Sequence, residues 1–306
     1  MRRAGYVAGE STHHSLDYAS VATIIPQSQC GAFGRDSCLR YTMRMGEVLI
    51  LSRKGVDMTT LRDRFLRYVQ IYTTSDPFSQ SYPSTARQWD LLNYLRDELA
   101  SIGAHDVEIT EHGYVLATIP ATPGYEKAPV VAFLAHVDTA PDFSGEHVKP
   151  IVHAQYDGRK IVLPDDPRQV IDPANPMYAD ILTAVGKDVI TASGTTLLGA
   201  DDKAGIAIIM TATDYLLKNP QIPHGKIRIC FNPDEEVGRG VDHLDIAKLG
   251  ASAAYTFDGG AVGEVSWETF SADGAAVEIT GVSTHPGTAH AYGMVNAVHF
   301  CLLYTS

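Results

Sequence analysis

The segment APVVAFLAHVDT, residues 128–139, is an almost unbroken apolar run that ends in a histidine and an aspartate. Apolar residues without regular polar alternation are typical of a strand that is buried on both of its faces. Such a strand needs neighbouring strands at its sides and covering layers on its faces. The run therefore predicts a central strand of an α/β sheet, with polar groups where the strand ends.

Helical and strand patterns alternate along the chain from Met58 onward. The apolar side chains of Leu61, Phe65 and Val69 have helical spacing, for example. We predict helices at 58–72, 84–103 and 241–250, a strand-turn-helix at 195–210, and strands within 107–120, 128–139, 225–238 and 252–260, with loops and short strands at about 140–190. This order predicts an α/β fold, a mixed sheet flanked by helices on both faces.

Composition narrows the class of protein. The net charge of −12 argues against a nucleic-acid-binding protein, which would carry a basic face. No run of 18 apolar residues occurs, so we expect no membrane span. Cys230 lies in the apolar run IRICFN and has the pattern of a small buried side chain rather than of a disulfide framework. These features favour a protein of a reducing compartment, and we expect the cytoplasm.

Acidic residues and one histidine stand at the carboxyl ends of four predicted strands. They stand in the segments LAHVDTAPD, LLGADDKAG, FNPDEEVGRG and TFDGG, and comprise His136, Asp138, Asp201, Asp202, Glu235, Glu236 and Asp258. The carboxyl ends of strands in an open α/β sheet are where active sites form. Because so many carboxylates at one edge would repel one another, we expect one or two dications there. Histidine and carboxylate ligands without cysteine suit zinc, with manganese or cobalt as substitutes.

Each of these clusters has a plain structural alternative. A pair of glutamates is usually a solvated turn, two aspartates before a helix can cap it, and an aspartate before two glycines is typical of a turn. A lone His-x-Asp is more often structural than a metal ligand. The occurrence of all four clusters at predicted strand ends favours the metal-site hypothesis.

The motifs HVDT, GADDKAG, PDEEVG, DGG and HPGTA, in this order and spacing, resemble those of the co-catalytic two-zinc exopeptidases. Within that family the chain is most similar to the peptidase T group, the tripeptide aminopeptidases. The similarity runs from about Met58 to about Val298. The long segments TLLGADDKAGIA and IPHGKIRICFNPDEEVGRG are its most specific parts.

The resemblance implies a ligand set for two zinc ions. His136 and Asp258 would bind the first zinc, Asp201 would bridge both ions, and Glu236 would bind the second. In relatives the peptide bond after the bridging aspartate is cis, which here is the bond between Asp201 and Asp202.

The same resemblance implies the catalytic roles. Glu235 would be the general base that takes the proton of the attacking water, and Asp138 would orient His136 or tune the site. His285 would stabilise the oxyanion from a lid domain, often across a dimer interface. Asn296 is a candidate substrate contact, whereas Lys203 suits a carboxylate-paired, solvent-facing or catalytic role equally well.

The domain prediction follows from where the similarity begins and ends. We expect an upstream, poorly ordered extension at 1–57, the N-terminal portion of a catalytic zinc-peptidase domain at 58–269, and the start of an α+β lid or dimerisation domain at 270–300, with its first helix at 293–300. Residues 301–306 have the pattern of a foreign tail. The family pattern continues further and includes a final histidine for the second zinc, so we expect both domains to be incomplete and the chain to be truncated at its C-terminus.

The leading hypothesis is a cytoplasmic two-zinc aminopeptidase that takes small peptides and releases the N-terminal residue of tripeptides. We expect neither nucleic acid nor membrane as a partner, and a homodimer through the lid domain is one expectation of the resemblance. A dipeptidase or an N-acyl-amino-acid deacylase on the same scaffold is the alternative. A non-catalytic binding fragment is the alternative from a different class. A nucleotide-binding domain is disfavoured, because no glycine-rich phosphate loop follows a strand.

Overall fold

The computed structural model describes residues 42–44, 48–51, 58–259, 266, 280–289 and 291–296. Contacts divide the chain into two compact units. Of the described residues, those from 42 to 259 and residue 266 belong to the larger unit, and residues 280–289 and 291–296 belong to the smaller one. The larger unit holds the sheet and the acidic clusters.

The strands, in chain order, are β1 (Thr42–Arg44), β2 (Val48–Leu51), β3 (His105–Ile109), β4 (Val115–Ile119), β5 (Val131–His136), β6 (Ile151–His153), β7 (Ile161–Val162), β8 (Val170–Ile171), β9 (Asp188–Thr191), β10 (Ile227–Asn232) and β11 (Ala253–Thr256). The helices are α1 (Met58–Tyr68), α2 (Gln88–Ser101), α3 (Ala200–Lys218), α4 (Ile246–Leu249) and α5 (Pro286–Ala289), with a 3-10 helix at Pro176–Ala184.

The main sheet has the strand order β11-β5-β10-β4-β3. Strand β5 pairs in parallel with both β10 and β11, whereas β4 runs antiparallel to β10 and to β3. The apolar run at residues 128–139 therefore forms an interior strand, as its composition predicts. Because β5, β10 and β11 are parallel, their carboxyl ends lie at one edge of the sheet, and His136 is in register with Asn232.

The core lies mainly on one face of this sheet. Alternate residues of β4, such as Val115 and Ala117, join one buried cluster with apolar residues of α1, α2 and α3. Leu116 of β4 points to the opposite face, where it packs with Cys230 and with Leu249 of α4. The mixed sheet flanked by helices is thus confirmed. Among the described helices, however, only the short α4 supplies a residue to this second cluster.

Two further differences from expectation have local causes. Only Ile246–Leu249 of the predicted helix 241–250 is helical, because the Asp245 side chain accepts a hydrogen bond from the backbone N–H of Lys248 and starts the helix there. The helix predicted at 293–300 is wrong for its described part, since Gly293 is left-handed and residues 294–296 are not helical. The short helix α5 precedes it.

The passage at 140–190 consists of loops and short strands, as predicted. It contributes β6 and β9 to a second sheet of order β1-β2-β9-β6. Strands β1 and β2 lie within the region 1–57, where the sequence shows no sustained strand pattern. The other residues of that region and the tail 301–306 lie outside the described residues. The sequence also predicts alternating strands at 263–287, but the described residues 280–287 form none, and α5 begins at Pro286. None of the described helices combines the length and apolar character required to cross a membrane.

Candidate metal centre

The carboxyl edge of the main sheet collects the predicted site residues of the larger unit. His136 is the last residue of β5, and Asp258 follows β11 by two residues. Asp201 lies at the start of α3, and Glu235 and Glu236 lie in the turn after β10. Parallel pairing of β5 with β10 and β11 brings these separate stretches of the chain together.

The centre of the site is a cluster of His136, Asp201 and Asp258, whose ligand atoms all lie within 4.8 Å of one another. His136 Nε2 is 2.9 Å from Asp201 Oδ1 and 3.7 Å from Asp258 Oδ2. Glu235 Oε2 is 3.8 Å from the same nitrogen. One imidazole nitrogen and the carboxylates of Asp201 and Asp258 therefore face a common point, with Glu235 beside His136, and this donor set suits a divalent cation.

The orientation of His136 is fixed from behind by Asp138. His136 Nδ1 lies 3.1 Å from the backbone carbonyl oxygen of Asp138 and 3.2 Å from its Oδ1. Both side chains are almost completely buried. A carboxylate on one imidazole nitrogen fixes the tautomer and directs the other nitrogen toward a metal. The contact agrees with the predicted orienting role of Asp138.

Asp138 also holds the turn that carries the two glutamates. Its Oδ1 accepts a hydrogen bond from the backbone N–H of Glu235 at 3.0 Å, and its Oδ2 accepts one from Glu236 at 3.2 Å. A single buried carboxylate therefore links the end of β5 to the turn after β10. These hydrogen bonds use only the backbone of Glu235 and Glu236, so they do not engage the two side-chain carboxylates.

The strand-turn-helix at Gly199–Gly205 brings Asp201 to the site. Gly199 has a left-handed φ of 75°, and the peptide bond between Asp201 and Asp202 is cis, as the resemblance implied. The buried Asp202 carboxylate accepts hydrogen bonds from the backbone N–H groups of His136 and Gly205. A Cβ atom on Gly205 would lie 2.2 Å from the Phe257 carbonyl oxygen, so only glycine fits there.

Electrostatics show that the site attracts positive charge. Burial alone lowers the pKa of His136, but its contacts with Asp138 and Asp201 outweigh burial and raise it well above its usual value. The surrounding groups desolvate Asp201 in part and so raise its pKa, although its side chain is 63% exposed, and the hydrogen bond with His136 reverses that effect and lowers the pKa. Burial, reinforced by the nearby Asp201 and Glu235, raises the pKa of Asp258 to about 7.

The turn glutamates experience the same crowding of negative charge. Burial, with repulsion from Asp138 and Asp201, raises the pKa of Glu235 despite the opposing effect of His136. The pKa of Glu236 rises to about 8, again through burial first and then through its acidic neighbours. Carboxylates that are hard to ionise together are stabilised by a cation, so the residues present fit a metal centre.

The structure does not unite every predicted site residue. Glu236 is held by its backbone beside the cluster but is not one of the three residues that form it. His285 is exposed in the smaller unit, where its Nδ1 accepts a hydrogen bond from the Gly287 backbone. Asn296 lies in the same unit. Their roles at the site therefore remain predictions.

Two buried groups beside the site were missed or left undecided by the sequence. Asp234 is fully buried and receives hydrogen bonds from Ser84 and Gln88. Gln88 stands three and four residues before the core residues Leu91 and Leu92, and that spacing could have identified it as buried. Lys203 is also buried, and its ammonium group donates to the Ile71 carbonyl oxygen at 2.7 Å, so it does not face solvent.

Known proteins match most of this chain. It is 48% identical over 242 residues to a peptidase T of Geobacillus thermodenitrificans, an alignment that covers 79% of this chain and 58% of the relative. A peptidase T of Listeria monocytogenes is 47% identical over 246 residues, which cover 80% of this chain and 59% of that protein. No protein-family model matches the chain.

Among solved structures, a tripeptidase from Staphylococcus aureus has a TM-score of 0.48 and 24% identity, covering 68% of this chain and 45% of that one. An aminopeptidase from Bacillus cereus has a TM-score of 0.46 and 25% identity, covering 66% and 44%. The chain is homologous to the proteins named peptidase T, as its motifs predicted. It spans about 58% of the length of the curated relatives that it matches.

Proposed function

We propose that this homologue of the peptidase T proteins carries the metal-binding and general-base residues of a two-zinc aminopeptidase that releases the N-terminal residue of tripeptides. The observation that carries the proposal is the convergence of His136, Asp201 and Asp258 at one sheet edge with Glu235 beside them. The identity of nearly one residue in two to peptidase T supports the choice of substrate.

In this proposal His136 and Asp258 would hold the first zinc, Asp201 would serve both ions, and Glu236 would bind the second. The donor set supports it, because imidazole and carboxylate oxygens are zinc ligands in proteins. When bound, two such cations supply the positive charge that makes water acidic and polarises the scissile carbonyl group.

Glu235 is the proposed general base. It takes a proton from the water whose oxygen attacks the peptide carbonyl carbon, and it gives that proton to the departing amine as the C–N bond breaks. Its partly buried carboxylate and raised pKa suit the return of the proton. Asp138 keeps both His136 and the Glu235 backbone in place. His285 is the proposed oxyanion partner, supported by its HPGTA motif alone.

The test is turnover of Ala-Ala-Ala, compared with Ala-Ala and N-acetylalanine, with zinc present. We expect the tripeptide to be cleaved best, with release of its N-terminal alanine. The Glu235→Gln variant should lose about 10²- to 10⁴-fold in kcat while it keeps its zinc. Preferred cleavage of Ala-Ala or N-acetylalanine would instead indicate the dipeptidase or the deacylase alternative.

A second experiment is needed because the relatives are longer than this chain. The matching 242 residues of this chain can replace those of the Geobacillus protein, with the unaltered Geobacillus protein as the control. Tripeptide cleavage by a folded chimera would support the proposal even if the 306-residue chain is inactive. A folded chimera that binds zinc but cleaves no peptide would refute it. Cytoplasmic location and a homodimer through residues 270–300 are further predictions of the same proposal.

A further inference from the structure

The turn that presents Glu235 and Glu236 is preceded by a residue with no role so far. Asp234 has a left-handed φ of 57°, and its side chain is completely buried. Positive φ is uncommon for residues other than glycine, although aspartate tolerates it better than most. Burial of a carboxylate requires several hydrogen bonds to offset the loss of water.

The hydrogen bonds to Asp234 come from one short segment more than 140 residues earlier in the chain. Ser84 donates its backbone N–H to Asp234 Oδ2 at 2.6 Å and its hydroxyl to Oδ1 at 2.5 Å. The side-chain amide of Gln88 donates to Oδ1 at 2.7 Å. Gln88 is the first residue of α2 and is itself fully buried.

The contact between Asp234 and Gln88 is reciprocal. The backbone N–H of Asp234 donates to Gln88 Oε1 at 3.2 Å, so each residue both donates to and accepts from the other. The next two backbone N–H groups, of Glu235 and Glu236, donate to Asp138. Three successive backbone N–H groups of this turn are therefore held by side-chain acceptors. Gln88 of α2 holds the first, and Asp138, which follows β5, holds the other two.

We propose that Asp234 is a positioning residue, which through Gln88 and Ser84 sets where the side chains of Glu235 and Glu236 stand in the metal site. The inference rests on the proposed function for what those two glutamates do. Without the Asp234 contacts the turn would keep only its attachment to Asp138. Glu235 and Glu236 would then sample several positions, and metal affinity would fall.

The test exchanges the carboxylate of Asp234 and the side-chain amide of Gln88 between the two positions. In Asp234→Asn an amide N–H group faces the donors of Ser84 and Gln88. In the double variant, the carboxylate introduced by Gln88→Glu can accept a hydrogen bond from the side-chain amide introduced by Asp234→Asn. It can still accept one from the backbone N–H of residue 234, and the buried charge of the pair is unchanged. Coupling between the two changes is read from the double-mutant cycle.

Two readouts do not require turnover. The first is hydrogen exchange of the peptide that contains residues 235–238, and the second is Zn²⁺ affinity by calorimetry. We expect Asp234→Asn to speed exchange at least about tenfold and to weaken Zn²⁺ binding about 10- to 100-fold, the usual effect of losing a partner behind a metal site. The double variant should recover both to within about threefold of wild type.

Two further variants keep the inference decidable. Ser84→Ala removes one donor, and we expect a smaller change in the same direction even if Asp234→Asn does not fold. Thr118→Val is the control. Thr118 lies in β4, away from the turn, and its buried hydroxyl accepts a hydrogen bond from the Arg228 guanidinium group. This variant should lower the unfolding midpoint and leave exchange at 235–238 unchanged.

Unchanged exchange and zinc affinity in folded Asp234→Asn would overturn the inference, as would a folded double variant no better than the single one. If the folded, zinc-binding chimera cleaves no peptide while Asp234→Asn and the double variant show the predicted exchange pattern, the proposed function is contradicted and the positioning role stands.

Discussion

The acidic residues at the carboxyl edge of the sheet form two layers with opposite environments. The inner layer, Asp138, Asp202 and Asp234, is completely buried. Each inner carboxylate accepts hydrogen bonds from backbone N–H groups of neighbouring segments. The outer layer, Asp201, Glu235 and Asp258, is partly open, with side chains that are 63%, 26% and 21% exposed.

The difference shows how one residue type serves two purposes. Inner carboxylates have donors supplied by the fold, so they join strands, turns and α3 into one edge. Outer carboxylates face His136 and one another with few donors, and that arrangement favours a bound cation. Removing an inner residue should therefore cost stability, whereas removing an outer residue should cost metal affinity.

The largest expected effect on stability is at the joint between the layers. In Gly205→Ala the new methyl group would lie 2.2 Å from the Phe257 carbonyl oxygen and 2.3 Å from Asp202 Oδ1. We expect a loss of about 3 kcal/mol in the free energy of unfolding, measured with urea. Gly103→Ala is the control, because no atom lies within 4 Å and only its left-handed φ of 89° opposes the change. Equal losses in both variants would mean that the close approach at Gly205 is unimportant.

Asp138→Asn tests the inner layer itself. The substitution replaces one carboxylate oxygen by an NH2 group, which would face the backbone N–H donor of Glu235 or of Glu236. We expect the free energy of unfolding of the metal-free chain to fall by about 2 kcal/mol. The matched outer variant, Asp201→Asn, should leave the metal-free unfolding curve close to that of wild type. The two-layer account fails if the outer variant is the more destabilised one.

How far these layers could be predicted depends on the range of the interactions. The apolar run of β5 and the acidic residues after β5, β10 and β11 are local signals, and they correctly predicted the edge where the cluster forms. The cis bond between Asp201 and Asp202 followed from the resemblance.

Contacts between side chains far apart in the sequence could not be predicted from the sequence. The contact of Gln88 with Asp234 spans 146 residues, and no local pattern specifies which buried polar groups will meet. The helix predicted at 241–250 was placed too early in the chain, because the Asp245 side chain caps the helix and α4 begins only at Ile246. The helical spacing of apolar residues at 293–300 likewise gave no sign that Gly293 has a left-handed φ.

Asp258 of the outer layer and the half-buried Glu236 beside that layer should make the metal-free chain sensitive to pH. The pKa of Asp258 is raised from 3.8 to about 7 in the folded chain, and that of Glu236 from 4.5 to about 8. Between pH 4.5 and pH 7 the folded state therefore binds more protons than the unfolded state, so stability falls as pH rises through this window. Thermal unfolding in a chelator should show the decline. Asp258→Asn should flatten it, and an equal slope in that variant would contradict the assignment.

The smallest effect is expected where a carboxylate belongs to neither layer. The ion pair of Arg159 with Asp157 is exposed, with 85% and 52% of the two side chains accessible. Exposed pairs of this kind contribute little because water and salt screen them. Arg159→Ala should leave both the unfolding midpoint and zinc affinity unchanged within error, which sets the baseline for the other variants. A clear shift would show that carboxylate contacts matter here without burial.

The most direct test of the two-layer account is a calorimetric Zn²⁺ titration of the chain beside its Asp258→Asn variant. Asp258 belongs to the His136–Asp201–Asp258 cluster, and its replacement removes one ligand without removing a backbone contact of the inner layer. The account predicts a folded variant that binds Zn²⁺ at least about 100-fold more weakly than wild type. Equal affinity in the two folded proteins would contradict it and show that the clustered carboxylates are not a metal centre.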